Sequence, residues 1–580
     1  MRNKRIITAL AITLLLVTTF LAPRPVAGAS SILVQRLWGG SYSDSAYAVA
    51  VDRAGNIYSA GTTYSYGPGS PSCNALSILK YSAQGNMMWQ RLWWNGSSAQ
   101  ATGIAVDPSG NIYVTGTLYT TCNGYWDGFL LKLDSTGSLV WQKTITQSLD
   151  SQFNALAVDG SGNVFVAGYY YTGPAGFSDM LLMRFNATGG LVWQKAWGGS
   201  QADSASGIVL DSSDNIYVVG QTSSFGFSGP RLALLKLDSS GNILFEKMVG
   251  TGYEAGTAVG LDSTGNIYAV GTANSGSSSN ILLVKFDPTG GPLWQKTWGG
   301  NRTNIPTGLA VDSSGNVEIA GYTNNYGAGG NCGPYVCRDI LMMKLDGSGN
   351  VLSELVYGSP GVNDQATGVA DSFGTMVAVG FVNVAPPYQI GSGNNTLGTG
   401  SFYVTSQGNN TMGLPTYPVT NINGGGMINA SGSQTYSGLG DQIMLRFGDQ
   451  PKLTFATSPG TGTITFNGTA YSNGQSTNLS IGNATATATA PSGYMFTGWN
   501  ATGGVSVSSS TASTVQVTVA GSGTLTAKFQ QTSSPASADY SLYYILGGVA
   551  AATAAALIGV NLFRRGKRSS SPTQTAASKT

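Results

Sequence analysis

Asp52-Arg53-Ala54-Gly55-Asn56-Ile57-Tyr58 returns as Asp107-Pro108-Ser109-Gly110-Asn111-Ile112-Tyr113, then four more times, with its asparagine at Asn163, Asn215, Asn266 and Asn316. Successive copies lie 55, 52, 52, 51 and 50 residues apart. One copy carries Asp214 in place of glycine, and the sixth ends in Glu318 where the others have an aromatic. A period near fifty residues, filled with short β runs and Gly/Asn turns, predicts a propeller blade. In the second repeat, residues 101–106, 112–115, 129–133 and 139–143 read as strands A to D, each β-branched or aromatic and bounded by turn residues. A degenerate seventh copy follows at Asp371 with Phe373-Gly374-Thr375-Met376-Val377.

Six repeats end in a D strand such as Trp89-Gln90-Arg91 or Trp193-Gln194-Lys195, but the seventh stops at the C strand of residues 443–447. The missing strand stands near the start. Ile32-Leu33-Val34-Gln35-Arg36-Leu37-Trp38-Gly39-Gly40 matches Leu191-Val192-Trp193-Gln194-Lys195-Ala196-Trp197-Gly198-Gly199, with Val34 in place of Trp193. The expected fold is therefore all-β: a seven-bladed propeller over residues 30–449, its last blade completed by the N-terminal strand so that no edge stays open. The last blade carries a long insertion at 381–440, and a small β-sandwich-like unit follows at 452–529.

The phrases "AVAVDRAGNIYSAG", "LLKLDSTGSLVWQK" and "KTWGG" resemble short bacterial and archaeal β-propeller repeats of the SBBP type, over residues 32–448. That resemblance implies a secreted or surface protein without a shared enzymatic activity. "LDSTGSLVW" is also similar to the tryptophan-docking motif of quinoprotein propellers. It implies that Trp89, Trp141, Trp193 and Trp294 pack between neighbouring blades, with Phe245 replacing tryptophan in the fourth. "PSGYMFTGWNATGG" resembles the small β modules used as stalk repeats on bacterial surface proteins.

The two ends read as topogenic. Residues 1–29 have a basic start, an apolar stretch and an Ala27-Gly28-Ala29 cleavage site, as in a signal peptide. Residues 530–542 read as a linker and 543–563 as an uncharged span of transmembrane length, and the tail of 564–580 opens with Arg564, Arg565, Lys567 and Arg568. These features predict a single-pass cell-membrane protein with its N-terminal domain outside. Away from the ends, 19 basic residues face 26 acidic ones, so no basic face suits a nucleic acid. Cys73, Cys122, Cys332 and Cys337 form an even set in an exported chain and predict disulfides, with Cys73–Cys122 bridging blades and Cys332–Cys337 closing a small loop. The sequons at Asn95, Asn186, Asn301, Asn394, Asn409, Asn429, Asn467, Asn478, Asn483 and Asn500 predict a glycoprotein, and with the anchor they suit an archaeal-like envelope.

The chain has no histidine, which removes histidine-based nucleophilic catalysis, histidine-held metals and the usual proton shuttle. No catalytic residue and no cofactor is expected, and the protein is read as not an enzyme. The Asp-x-x-Gly-Asn turns resemble calcium loops but supply too few oxygens, so they are read as Asp-capped turns. A basic residue closes each C strand (Lys80, Lys132, Arg184, Lys236, Lys285, Lys344, Arg446), and four of these strands open on Asp127, Asp179, Asp339 or Asp441. That regularity predicts an ion-pair or hydrogen-bond network within each blade. Asp44, Asp150, Asp203, Glu254 and Asp364 stand near the start of strand A and would rim the central channel, as weak candidates for calcium or another cation.

The B–C loops vary most. From the strand-B glycine to the strand-C basic residue the spans are 19, 16, 16, 16, 14, 23 and 66 residues. Variable loops on a rigid frame are where recognition usually resides. The functional expectation is surface adhesion to an extracellular glycan or protein through the B–C face, with Tyr403 and Tyr417 as binding-loop candidates. The alternative is a structural, S-layer-associated envelope glycoprotein that contacts its neighbours. A quinone-dependent dehydrogenase or a polysaccharide-active enzyme is the less favoured class.

Overall fold

The computed structural model describes residues 31–532 apart from 67–73, 120–125, 146–149, 172–176, 227, 276–277, 301, 325–330, 333–334, 359–361, 384–388, 392–396, 399–403, 406–418, 422–425, 429–439 and 480. Seven antiparallel sheets form the propeller. The first blade is Asp44–Val51, Ile57–Thr63, Ala75–Tyr81 and Met87–Trp94, and five more repeat that meander in chain order. Strands B and C are buried on both faces, so Ile57–Thr63 and Ala75–Tyr81 read as unbroken buried runs. Each blade packs its apolar faces on the next. Tyr58, Leu76 and Ile78 of the first blade share one cluster with Ile104, Ile112 and Phe129 of the second.

The recurring heptapeptide is a turn held by its aspartate. Asp52 Oδ1 accepts the N–H of Ala54 at 2.9 Å and of Asn56 at 2.9 Å, while Oδ2 accepts the Asn56 amide at 2.8 Å and the Tyr58 hydroxyl at 3.0 Å. Gly55 has φ of 81°, a left-handed conformation that favours glycine. The glycine in strand B has a different cause. Strand A carries a β-bulge in every blade, and a Cβ on Gly116 would stand 1.9 Å from the Gln100 carbonyl oxygen.

The seventh blade is Gln365–Ser372, Thr375–Val382 and Asp441–Gly448, completed by Ser31–Trp38. The N-terminal strand pairs antiparallel with the C strand from Ser31↔Gly448 to Trp38↔Gln442. Ring closure therefore rests on a chain reversal of some four hundred residues. Arg446, fully buried, fastens the same seam. It donates to the Ala83 carbonyl of the first blade at 2.8 Å, to the Ser372 carbonyl at 3.0 Å, to Thr375 Oγ1 at 2.7 Å and to the Ala520 carbonyl of the following domain.

The long insertion does not stand up from the B–C face. Gln389–Gly391, Leu397–Gly398, Val404–Thr405, Val419–Asn421 and Gly426–Ile428 each pair with an outermost strand, on blades six, five, four, two and one in turn. The insertion thus leaves the last blade, passes backwards around the rim and returns to the last blade. Tyr403 and Tyr417 lie outside the described residues.

The C-terminal domain is one seven-stranded sheet and not two stacked ones. Its spine is Thr514–Gln531, which pairs with Tyr494–Val507 along nearly its whole length, with Gly482–Thr489 beside its first part and parallel to Lys452–Ser458 beside its second. Gly503-Gly504 and Gly521 meet where the sheet bends, and a Cβ on Gly504 would fall 2.4 Å from Gly521 N. Bending brings the halves face to face around Phe455, Phe466, Trp499, Val517 and Phe529. The sandwich expected from the strand count is therefore a folded single sheet.

The membrane reading is corrected. The described residues contain strands and no α-helix, and none of them forms a helix long and apolar enough to cross a membrane. Residues 1–30 and 533–580, which include the expected signal peptide, span and tail, lie outside the described residues. The single-pass anchor, the membrane partnership and the cell-membrane localisation built on it are not carried forward.

Arg446→Met would strand three carbonyls and a hydroxyl at the seam, and we expect a loss of about 3 kcal/mol in urea unfolding. Arg446→Lys should recover only a minority of it, because an ammonium cannot reach four acceptors spread around a planar fork.

Candidate functional site

The basic residues that close the C strands join blades to one another. Lys132 Nζ donates to the Ala187 carbonyl at 3.1 Å, Arg184 to Ser239 at 3.0 Å, Lys236 to Pro288 at 3.3 Å and Lys285 to Gly347 at 3.0 Å. Every acceptor is the second residue of the next blade's C–D turn. Each cation also lies over the strand-B aromatic of its own blade, as Lys132 does over Tyr113 at 5.1 Å. The docking tryptophans meet the same turns. Trp141 Nε1 donates to the Ala187 carbonyl at 3.3 Å and Trp193 Nε1 to Ser239 at 3.2 Å. The expected network is therefore interblade.

The acids at the other end of the blades also lie between blades. Asp44, Asp203, Glu254 and Asp364 share one register position and are 0–2% exposed, so they do not rim an open channel. Asp150 stands one residue earlier than that position and accepts the Trp126 N–H at 2.7 Å. Each junction acid meets the residue that opens strand C of the preceding blade. Asp203 meets Asp179, Asp364 meets Asp339 and Asp44 meets Asp441. Glu254 instead faces Arg231 at 3.6 Å, and Asn304 faces Asn280. The same register positions hold Ala75 with Ala99 and Asp127 with Ser151. The Trp-Gly-Gly phrase follows from this packing. A Cβ on Gly39 would lie 2.2 Å from Asp441 Oδ1, and one on Gly198 would lie 2.2 Å from Asp179 Oδ1. The second glycine donates its N–H to the strand-A acid, Gly40 to Asp44 and Gly199 to Asp203, both at 2.8 Å. Among the described residues, no group of three or more His, Cys, Asp or Glu side chains is placed to hold a metal ion.

One junction breaks the pattern at the turn end. The seventh blade takes its D strand from the N-terminus, so it has no C–D turn, and Lys344 of the sixth blade has no such carbonyl to reach. It donates instead to Gly374 O at 2.7 Å, Asp312 Oδ2 at 2.8 Å and Glu318 Oε1 at 2.9 Å. Glu318 is the residue that replaces the usual aromatic. Gly374 belongs to a tight two-residue turn with Phe373, where both residues have positive φ (54° and 83°), as a type I′ hairpin requires. The bend of the C-terminal domain, at Gly503 and Ser522, roofs the space left by the missing turn.

The result is a cavity of about 450 Å³ between blades six and seven and the C-terminal domain. Asp312, Asn316 and Lys344 line one wall, Phe373 and Thr375 another, and Ser522 the roof. Burial works against the charged form of Asp312, yet hydrogen bonds from Lys344 and Asn316 hold it below the usual carboxylate range. Burial would lower Lys344, but Glu318 and Asp312 outweigh it and keep the ammonium charged. Glu318 is pushed up to about 8 by burial, against the opposing pull of Lys344 and with Asp371 adding to the rise. Its Oε2 is buried without a hydrogen-bond partner. The cavity therefore offers the Lys344–Asp312 ion pair, a second carboxylate at Asp449, amide and hydroxyl groups, and an aromatic ring.

Other expected sites are scattered. Cys337 is buried and disulfide-bonded. Cys73 and Cys122 lie outside the described residues and Cys332 is described in its backbone alone, so none of the expected pairings is established. Asn186, Asn467, Asn478, Asn483 and Asn500 are exposed and Asn95 is half-buried, while Asn301, Asn394, Asn409 and Asn429 lie outside the described residues. Asn186 has a structural role as well, since its Oδ1 caps a C–D turn by accepting from Thr188 and Gly190.

Comparison with known proteins agrees with the two-part architecture. A beta-propeller repeat family matches residues 34–67, 95–117 and 196–227. The divergent InlB B-repeat domain matches residues 453–533. A WD repeat-containing protein of Acanthamoeba polyphaga mimivirus is 22% identical over 53% of this chain, and the match spans 26% of that protein. Among solved structures, Sqt1 from Chaetomium thermophilum is 10% identical and covers 61% of this chain and 83% of its own, with a TM-score of 0.35. An acylaminoacyl peptidase from Pyrococcus horikoshii is 12% identical and covers 61% of this chain and 52% of its own, with a TM-score of 0.34.

Gly198→Ala should destabilise the protein by about 2 kcal/mol in chemical unfolding, because its methyl meets a buried carboxylate. Adding Asp179→Ala in the same chain should recover most of the loss, and the double-mutant cycle measures the coupling.

Proposed function

We propose that the protein is a non-catalytic binding protein, and that the cavity between blades six and seven and the C-terminal domain receives one end of a glycan. The observation that carries this reading is the convergence of four departures from the repeat on one place. The missing C–D turn, Glu318 for an aromatic, Lys344 without its turn carbonyl, and the Phe373-Gly374 hairpin all border the same space. In six blades these positions serve packing alone. In the seventh they leave a concave site of ligand size.

A saccharide suits its chemistry. Asp312, Asn316 and Ser522 supply acceptors and donors for hydroxyls, and the half-buried Phe373 ring offers an apolar face. Lys344 is neutralised by Asp312 in place, which disfavours a strongly charged ligand. The absence of histidine from the sequence supports a non-enzymatic role. Most B–C loops lie partly outside the described residues, and this reading rests on the cavity alone.

Glycan-array screening of the whole chain, followed by calorimetric titration of the best saccharide, tests the proposal. Ser314→Trp fills the mouth from an exposed turn, and Phe373→Ala removes the aromatic face. Each should weaken binding about tenfold or more, roughly 1.4 kcal/mol, while the Ser314→Trp unfolding midpoint stays unchanged. Full affinity in both variants would discard the cavity, and failure to bind any glycan would discard the proposed ligand class.

A further inference from the structure

The seven blade junctions are a substitution series written into one chain. Four of them avoid opposed negative charges: Ala75 with Ala99, Asn280 with Asn304, Arg231 with Glu254, and Asp127 with Ser151. The other three oppose two aspartates. Asp44, Asp203, Asp339 and Asp441 are each 0–3% exposed, and each keeps its Oδ1 buried with no hydrogen-bond partner. Their outer oxygens are well served: Asp44 Oδ2 accepts from Ser65 at 2.6 Å and Gly40 at 2.8 Å, and Asp203 Oδ2 from Ser224 at 2.7 Å and Gly199 at 2.8 Å. Unserved side-chain oxygens occur at other junctions too, at Ser151 Oγ and Asn280 Oδ1, so what sets these three apart is the second acid facing the first.

We propose that each Asp–Asp junction is a buried proton site, in which one carboxyl donates to the facing carboxylate, so that the propeller is most stable in mildly acidic surroundings. Facing carboxylates with at least one fully buried member repel one another, and a shared proton supplies a donor to the buried Oδ1 of Asp44, Asp203, Asp339 and Asp441. The neighbours offer no substitute. Near Asp44 and Asp441, the Tyr66 hydroxyl donates to Gly39 O at 2.7 Å and not to either acid. Near Asp179 and Asp203, the Tyr170 hydroxyl donates to Asp179 Oδ2 at 3.5 Å. Beside Asp339 and Asp364, Arg338 turns outward over Tyr322 and toward Gln365, and Asn383 donates its backbone N–H to Asp364 Oδ1 at 3.1 Å. No ion pair to Asp44, Asp179, Asp203, Asp339 or Asp441 occurs among the described residues.

The sign of the pH effect follows. Burial, and then the facing acid, pushes Asp441 up to about 6 and Asp339 up to about 7, and raises Asp179 as well. A carboxyl raised by folding stabilises the native state below its unfolded range, and that contribution is lost as pH rises through the folded value. The window here is about pH 4 to 7. The Asn280–Asn304 and Arg231–Glu254 junctions show what a permanent solution looks like.

Thermal unfolding of the whole chain across that window is the test. The midpoint should fall by a few degrees between about pH 5 and 8. Asp339→Asn with Asp441→Asn should flatten the fall and raise the midpoint at the alkaline end. Ser151→Asp, which creates a fourth opposed pair, should steepen it. The infrared carbonyl band of a buried carboxylic acid should be present in the native protein and reduced in the double variant, a readout that does not depend on stability. A midpoint that is flat or rises with pH, or a slope indifferent to these variants, would overturn the proposal. So would a midpoint restored at the alkaline end by added calcium chloride, which would make the junctions cation sites instead.

Discussion

The pairing of Ser31–Trp38 with Asp441–Gly448 is the constraint from which the other peculiarities follow. A ring of sheets closed by its own first strand leaves the last sheet one turn short. Five interblade contacts repeat a single chemistry, a cation reaching a turn carbonyl across the gap, and the one at the short sheet cannot. The chain meets that deficit with local changes: an acid replaces an aromatic, a hairpin tightens, and the following domain bends over the opening. What looks like sequence decay in the last two repeats is therefore an adjustment to topology. It also fixes where the C-terminal domain must begin, because the strand that lacks a turn is the strand that leads into it.

The two ends of each blade use opposite electrostatic strategies. At the turn end, cations lie on aromatic faces and donate to backbone carbonyls. At the other end, acids are packed against glycine Cα atoms, and Asp44 and Asp203 each have one oxygen served and the other buried without a partner. The first arrangement tolerates no acid in the aromatic position unless a cation is already there, as Glu318 shows with Lys344. The second tolerates alanine, amide, ion pair or diacid, because it asks only for compact side chains of compatible charge. That difference explains why the cations recur in every blade while the acids vary.

Much of this was legible from residue order. The period of the Asp-x-x-Gly-Asn phrase specified blades, and the likeness of residues 32–40 to 191–199 specified closure. Both signals are local and repeated, so they survive the loss of three-dimensional information. The junction acids were visible but misplaced, because Asp179 and Asp203 come together across a blade boundary that no spacing rule encodes. The tie between the first glycine of Trp-Gly-Gly and an acid opening the preceding strand C was the available clue. The rim strands could not be read. They are two or three residues long, leaving no periodicity to detect. The bend of the C-terminal sheet was signalled only by Gly503-Gly504 and Gly521, which read equally well as ordinary turns.

The encircling insertion sets an order of events. Its rim pairings touch blades one, two, four, five and six, yet both its ends belong to blade seven. It can settle only after those sheets exist, and it travels against the direction in which they are synthesised. The opening strand must likewise wait, idle, until residue 448 has been made. Maturation of this chain is thus a weaving problem: the frame is laid from one side and the binding thread is drawn back around it last.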